Sequence, residues 1–228
     1  MEEISRVKFK RAVVPLDAKN LDIMTIDTGD SSAEIICVAI YARFERKDGS
    51  FSCQLVFARS KILAVGVTIP RGELLMAAHM NAATGHTVKK AFGKYHKGSL
   101  KLTDSTVALH WIGSKTIVLK VWVRARVIEI GRLTQCEEYD EADRSSPWAH
   151  VDTENMPADI GTRKGAKVED VIDGSIFANG MPYMNGPLKK FPTTTLEDLK
   201  LTQADWNEAN KEKIVAKTYF ATKSVEVS

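Results

Sequence analysis

The apolar positions fall into two kinds of pattern. Residues 35–41 form a nearly continuous apolar run, as expected of a strand buried on both faces. A shorter run at 21–26 precedes the polar break Asp27-Thr28-Gly29-Asp30-Ser31-Ser32, and a third spans 51–57. The second and third runs are separated by Lys47-Asp48-Gly49-Ser50, whose Asp-Gly pair suits a tight hairpin turn. Three successive strands, the last two closely joined, predict an antiparallel meander.

The pattern then changes to a helical period. Leu74, Leu75, Ala77, Ala78 and Ala82 can share one face of a helix opening near Pro70. Proline is tolerated at a helix start because its missing N–H has no intrahelical partner there, whereas Gly72 weakens the first turn. The helix ends near Gly85 or continues toward Phe92, with Gly93 the safer stop. A short strand at 100–103 leads to a helical run at 107–112, capped by Asp104 or Ser105. A further helix is expected over 119–133 and a strand over 147–151. A loop at 153–162 then leads to a short helix, with Pro157-Ala158-Asp159 placing an acid at its start.

Strands followed by alternating helices and strands predict an α/β fold, a mixed sheet with helices against its surfaces. No repeat with a period of about 20–50 residues is present, which removes solenoids. After Gly165 the chain is punctuated by Gly174, Gly180, Pro182, Gly186, Pro187 and Pro192, and a terminal helix is expected near Thr202. The expected organisation is an N-terminal extension at 1–19, a core at 20–165 and a C-terminal extension at 166–228 packed on or following that core.

Composition narrows the class without naming a function. The 228 residues are enough for one sizeable core, and 44% hydrophobic with 27% charged residues describes a folded chain. A net charge of +3, from 32 Lys and Arg against 29 Asp and Glu, leaves polyanion binding open without requiring it. Cys37, Cys53 and Cys136 are odd in number and scattered, so neither a disulfide framework nor a CxxC metal knuckle is expected. Cys37 and Cys53 read as buried thiols. Charges interrupt the first residues, and no apolar run approaches membrane-spanning length. The expectation is an intracellular protein, cytoplasmic or nuclear, with no membrane partner.

Four acids stand where separate elements can bring them together: Asp30 after the first strand run, Glu73 in a first helical turn, Asp104 directly after a strand, and Asp159 near the final core helix. Several carboxylates can hold two divalent ions that activate water and stabilise charge in phosphodiester hydrolysis. Oxygen ligands suit Mg²⁺ or Mn²⁺ rather than zinc. Singly, each acid has an ordinary structural role as a strand terminator, turn cap or helix-start charge, and spacing alone does not assemble a site.

Three ordered segments add to this: TIPRGELLMAA at 68–78, LTDSTVALHWI at 102–112 and HVDTENMPADIGTRKG at 150–165. They resemble motifs of the ribonuclease H region of BEL/Pao-type retrotransposon polyproteins. DSSAEIICVAIY at 30–41 resembles its first element, and DGSIFANGMPYMNGPLKKFP at 173–192 the passage that leads away from it. The resemblance implies a ribonuclease H-like mixed sheet and cleavage of the RNA strand of RNA–DNA hybrids, with two Mg²⁺ or Mn²⁺ ions. It implies Glu73, Asp104 and Asp159 as metal-holding acids, with Asp30, or in its place Asp27, as the first. Neighbouring reverse transcriptase and integrase are implied as context. Gly72 stands where the family has a bulky apolar residue, and Cys37 where it has glycine.

Among the remaining residues, His150 near Asp159 is a candidate for proton transfer or phosphate contact, or for a local hydrogen bond. His79, His86, His96 and His110 show no metal-ligand spacing, and His110 reads as a structural partner. Arg71, Arg124, Arg126, Arg163 and Lys164 are candidate phosphate contacts or solvated charges. Trp111 and Trp122 read as core, while Trp148 and Trp206 carry less functional information. The alternative function is a catalytically inactive ribonuclease H-like module that binds nucleic acid or a protein partner.

Overall fold

The computed structural model describes residues 12–63, 71–72, 77–114, 119–134 and 146–213. Its sheet contains β1 (Ile23–Ser31), β2 (Ile35–Glu45), β3 (Phe51–Ile62), β4 (His96–Thr103), β5 (Trp148–Val151) and β6 (Thr193–Thr195), in the order β3-β2-β1-β4-β5-β6. β1, β2 and β3 form the expected antiparallel meander, while β4 lies parallel to β1 and β5 parallel to β4. β6 closes the other edge antiparallel to β5. The hairpin between β2 and β3 turns at Gly49, whose φ of 82° is open to glycine, and Asp48 Oδ1 accepts hydrogen bonds from the Ser50 amide and hydroxyl.

The helices are α1 (His79–Phe92), α2 (Thr106–Gly113), α3 (Val121–Thr134), α4 (Ile176–Asn179) and α5 (Gln203–Asn210). α1 runs through Gly85 and stops at Gly93, which has a φ of 55°. Gly85 is an interior position where the helix crosses β1 and β4. A Cβ there would meet the Asp27 carboxylate and lie 2.6 Å from Lys101 Nζ. The glycine thus marks a close approach rather than a helix end. Ser105 caps α2 by accepting from the Ala108 amide at 3.2 Å, which leaves the Asp104 side chain outside the cap.

Two sequence-based expectations are corrected. The short helix near Asp159 is a 3-10 turn, Pro157–Gly161, so no α-helical macrodipole accounts for the acid there. β4 starts at His96, earlier than the apolar run indicated, because polar His96, Lys97 and Ser99 still pair with β1. The opening of the helix at Pro70, with Leu74 and Leu75, lies outside the described residues, as does Cys136.

The two faces of the sheet are covered by different parts of the chain. Ile36, Val38 and Ile40 pack with Ala77, Met80 and Val88 of the α1 side. Ile26, Cys37, Ala39, Tyr41, Leu102 and Val151 pack instead with Met156, Ala158, Phe177, Met184 and Phe191. Backbone carbonyls of this second layer are captured by buried polar side chains. The Tyr41 hydroxyl donates to Phe177 O at 2.8 Å, and Arg43 donates to Met184 O at 3.0 Å and Gly186 O at 2.6 Å. Burial pushes the Tyr41 hydroxyl well above its ordinary pKa. Cys37 and Cys53 are buried free thiols, pushed up to about 11 and about 12 by burial.

Candidate carboxylate site

The parallel pairing of β1 with β4 places the first two acids. Thr28 lies opposite Leu102, so Asp30 on β1 and Asp104 just past β4 stand equally far along neighbouring strands. Both therefore emerge at the carboxyl ends of adjacent parallel strands, where open α/β sheets commonly collect ligands. The turn Pro157–Gly161, carrying Asp159, packs against β1 and β2 beside them. Its close seating is tied to Cys37. A Cβ at Gly161 would clash with the Cys37 side chain, so glycine in the turn makes room for the thiol of β2.

Asp30 is 8% exposed, and its Oδ2 accepts from the Thr162 hydroxyl. Burial raises its pKa, the Thr162 bond opposes that rise, and the nearby charges of Asp104 and Asp159 add to it. The charges of Asp104 and Asp159 thus both act on Asp30. Asp104 Oδ2 accepts from the Thr153 hydroxyl at 2.6 Å, and its backbone carbonyl lies 3.1 Å from His150 Nε2. Asp159 is ion-paired with Arg163 one turn later. The Thr162 hydroxyl also lies 3.0 Å from Asp159 O, so its single proton can serve either Asp30 or that carbonyl.

Asp27, the competing first acid, is on the opposite face of β1. It stands three positions before Asp30, an odd offset, and strand side chains alternate faces. Its Oδ2 is 2.5 Å from Lys101 Nζ, in a pair with side chains 0% and 2% exposed. Asn81 of α1 donates to Asp27 O at 2.9 Å. Asp30 is therefore the β1 acid coupled to Asp104 and Asp159. Glu73 lies outside the described residues.

Oxygen-only donors and mutual repulsion at Asp30 fit a hard divalent cation in kind. Among the described residues, however, no group of three or more His, Cys, Asp or Glu side chains stands ready to hold a metal ion. The acids are instead engaged by Thr162, Thr153 and Arg163.

The other candidates divide clearly. His110 meets Trp206 edge-on at 4.9 Å, a structural partnership, and burial lowers the pKa values of His79, His86, His96 and His110. Trp111 is buried and donates from Nε1 to Ala209 O at 3.2 Å. Trp122 departs from the core expectation: it is 40% exposed, with Arg71 positioned 5.0 Å over its ring. Its neighbours Arg124 and Arg126 are exposed, whereas Arg71 pairs with Glu212 and Lys164 with Glu34. Sequence reasoning missed Thr153 and Thr162. Both lie inside the segment at 150–165, but a threonine beside an acid has too many ordinary roles to stand out.

Residues 1–105 match the family described as the Pao retrotransposon-like RNaseH-like domain. The match includes Asp30, Glu73 and Asp104 and ends before Asp159. No curated protein and no solved structure matches the chain.

Proposed function

With residues 1–105 matching the Pao retrotransposon-like RNaseH-like domain family and the sheet ribonuclease H-like, we propose a hybrid-specific ribonuclease function for this chain. It would act as a metal-dependent endonuclease on the RNA strand of RNA–DNA hybrids. The observation that carries this reading is the placing of Asp30 and Asp104 at the carboxyl ends of the neighbouring parallel strands β1 and β4, with the turn that carries Asp159 packed against β1 and β2.

In this reading Asp30, Asp104, Asp159 and Glu73 would hold one or two Mg²⁺ or Mn²⁺ ions. Such ions, when bound, help generate a nucleophilic water and stabilise the departing 3′-oxygen. Thr162 keeps the Asp30 carboxyl oriented in its buried setting, and Thr153 does the same for Asp104. Arg163 balances the charge of Asp159 from the solvent side. His150 is tied to the Asp104 backbone and holds the end of β4 against β5. Hybrid recognition would rest on duplex shape and 2′-hydroxyls rather than base sequence.

Among the described residues, no helix is long and apolar enough to cross a membrane. We place the chain in an intracellular setting, cytoplasmic or nuclear, with reverse transcriptase and integrase as neighbouring activities of the same element.

The test is cleavage of a labelled RNA–DNA hybrid with Mg²⁺ and separately with Mn²⁺, comparing wild type with Asp104→Asn. Metal-dependent cutting of the RNA strand that Asp104→Asn abolishes is the expected result. An intact hybrid at high concentrations of folded wild-type protein would overturn the enzymatic reading. The second reading, a noncatalytic module for nucleic acid or a protein partner, is favoured by the engagement of all three acids within the chain. It predicts hybrid or partner binding without cleavage.

A further inference from the structure

We infer that Trp122 and Arg126, on one flank of α3, form a docking strip for the phosphate backbone of an RNA–DNA hybrid. The hybrid as occupant rests on the ribonuclease reading above; the strip stands on the exposed surface of α3 itself.

α3 buries Val123 and Ile130 and leaves Val121, Trp122, Arg124, Arg126 and Ile128 exposed. Trp122 and Arg126 are four residues apart, which makes them neighbours on one flank of the helix. Arg124 lies two positions from each and belongs to the other flank. The flank of Arg126 is the one that meets α1. His79 at the start of α1 has its pKa lowered first by burial and then by the charge of Arg126.

The cations of this flank are unequally committed. Arg71, whose guanidinium lies 5.0 Å over the Trp122 ring, is paired with Glu212 at 2.8 Å. Arg132 is held by Glu129, the only acid of α3, through two hydrogen bonds of 2.8 and 3.1 Å. Arg126 makes no ion pair among the described residues. Its guanidinium is therefore left to offer a phosphate two parallel N–H donors. Trp122, still 40% exposed beneath Arg71, offers a flat apolar face one turn away.

The strip also adjoins the carboxylates. A Cβ on Gly72 would lie 2.9 Å from Ser31 Oγ, which places Arg71 and the Trp122 ring close to the residue that follows Asp30. A hybrid with one phosphate at Asp30 and Asp104 continues past them as a stiff duplex. The acids repel its phosphates, so an uncommitted cation nearby supplies the attraction that they lack.

The experiment measures binding of a fluorescently labelled RNA–DNA hybrid to the full chain by anisotropy, at several salt concentrations. Divalent metal is left out, so that cleavage plays no part. Arg126→Gln is expected to weaken binding about threefold to tenfold. It should also make the slope of log Kd against log salt shallower by about 1, as the loss of one phosphate contact requires. Trp122→Ala should weaken binding with that slope unchanged, because it removes an uncharged contact. Arg124→Gln, on the other flank, should stay close to wild type in both. Equal losses in Arg126→Gln and Arg124→Gln would overturn the strip in favour of diffuse surface charge. No loss in Arg126→Gln, or no hybrid binding by wild type, would overturn it as well. Binding of poly-glutamate through Arg126 without binding of hybrid would replace the nucleic acid by an acidic protein. If Trp122→Ala does not fold, the salt slopes of the two arginine variants decide alone. Cleavage with metal is scored separately. A hybrid held through Arg126 but left uncut refutes only the ribonuclease reading. A hybrid cut by wild type and bound normally by Arg126→Gln refutes only the strip.

Discussion

β1 carries two buried aspartates three residues apart, and the sheet treats them in opposite ways. Asp27 faces α1, where Lys101 comes within 2.5 Å and Gly85 leaves space for the pair. Asp30 faces the turn Pro157–Gly161, where its charged neighbours include two further acids and its hydrogen-bond partner is a neutral threonine. On one face the fold neutralises a buried charge, and on the other it gathers like charges. A buried carboxylate with a dedicated counter-ion has its electrostatic demand met within the chain. One that is crowded by other carboxylates favours a proton or a cation from outside. The contrast separates a packing device from a candidate site more clearly than burial does, since both acids are buried.

The largest effect expected from breaking this contrast is at Lys101. Lys101→Met leaves Asp27 buried without its counter-ion, and a loss of about 3–5 kcal/mol in urea unfolding is expected. Adding Asp27→Leu should recover much of that loss, since a well-packed apolar pair avoids the desolvation penalty. A loss below about 1 kcal/mol for Lys101→Met would show that the pair is not the neutralising device described.

A smaller effect is expected where the Asp159 turn meets β2. Gly161→Ala drives a methyl into Cys37 and should cost about 1–3 kcal/mol. Cys37→Gly in the same chain should relieve most of the clash, giving a coupling in a double-mutant cycle that an independent pair of sites would lack.

The smallest effect concerns Asp30 itself. Its pKa is raised in the folded chain, chiefly by burial, so folding favours the protonated form. The associated stability is fully present below the unfolded pKa and is lost as pH rises through the raised folded pKa. At neutral pH the charged group therefore works against the fold, and Asp30→Asn should raise Tm there. The advantage over wild type should shrink as pH falls through the raised pKa, in melts recorded between neutral and acidic pH. A variant less stable at neutral pH would indicate that the Thr162 hydrogen bond outweighs burial and like-charge repulsion. On the proposed metal-holding role of Asp30, added Mn²⁺ should raise the Tm of wild type more than that of Asp30→Asn.

Much of the scaffold was legible because it depends on local period. The continuous run at β2, the Asp-Gly hairpin and the stop at Gly93 follow from burial and backbone freedom alone. The site was legible in part. The position of Asp104 after a strand is a local fact, but whether it or Ser105 capped α2 depended on which side chain reached Ala108. Trp122 shows the same limit: apolar neighbours in sequence did not reveal that its ring would lie near the surface beneath Arg71. β6 escaped notice because three threonines carry no apolar period, and they form a strand only through pairing with β5.

The sequence by itself determined the strand meander, the α/β class, and acids at strand ends in a recognisable order, because these follow from side-chain chemistry read over a few neighbouring residues. Only the tertiary structure decided that Asp30 joins Asp104 and Asp159 while Asp27 turns to Lys101. It also decided that residues as distant as Thr162 and Glu212 attend the carboxylates and the Arg71 motif. The physical reason is that electrostatic partnership depends on through-space distance and on which face of a strand a side chain occupies. Both emerge only after β1, β4 and the C-terminal segments have packed together.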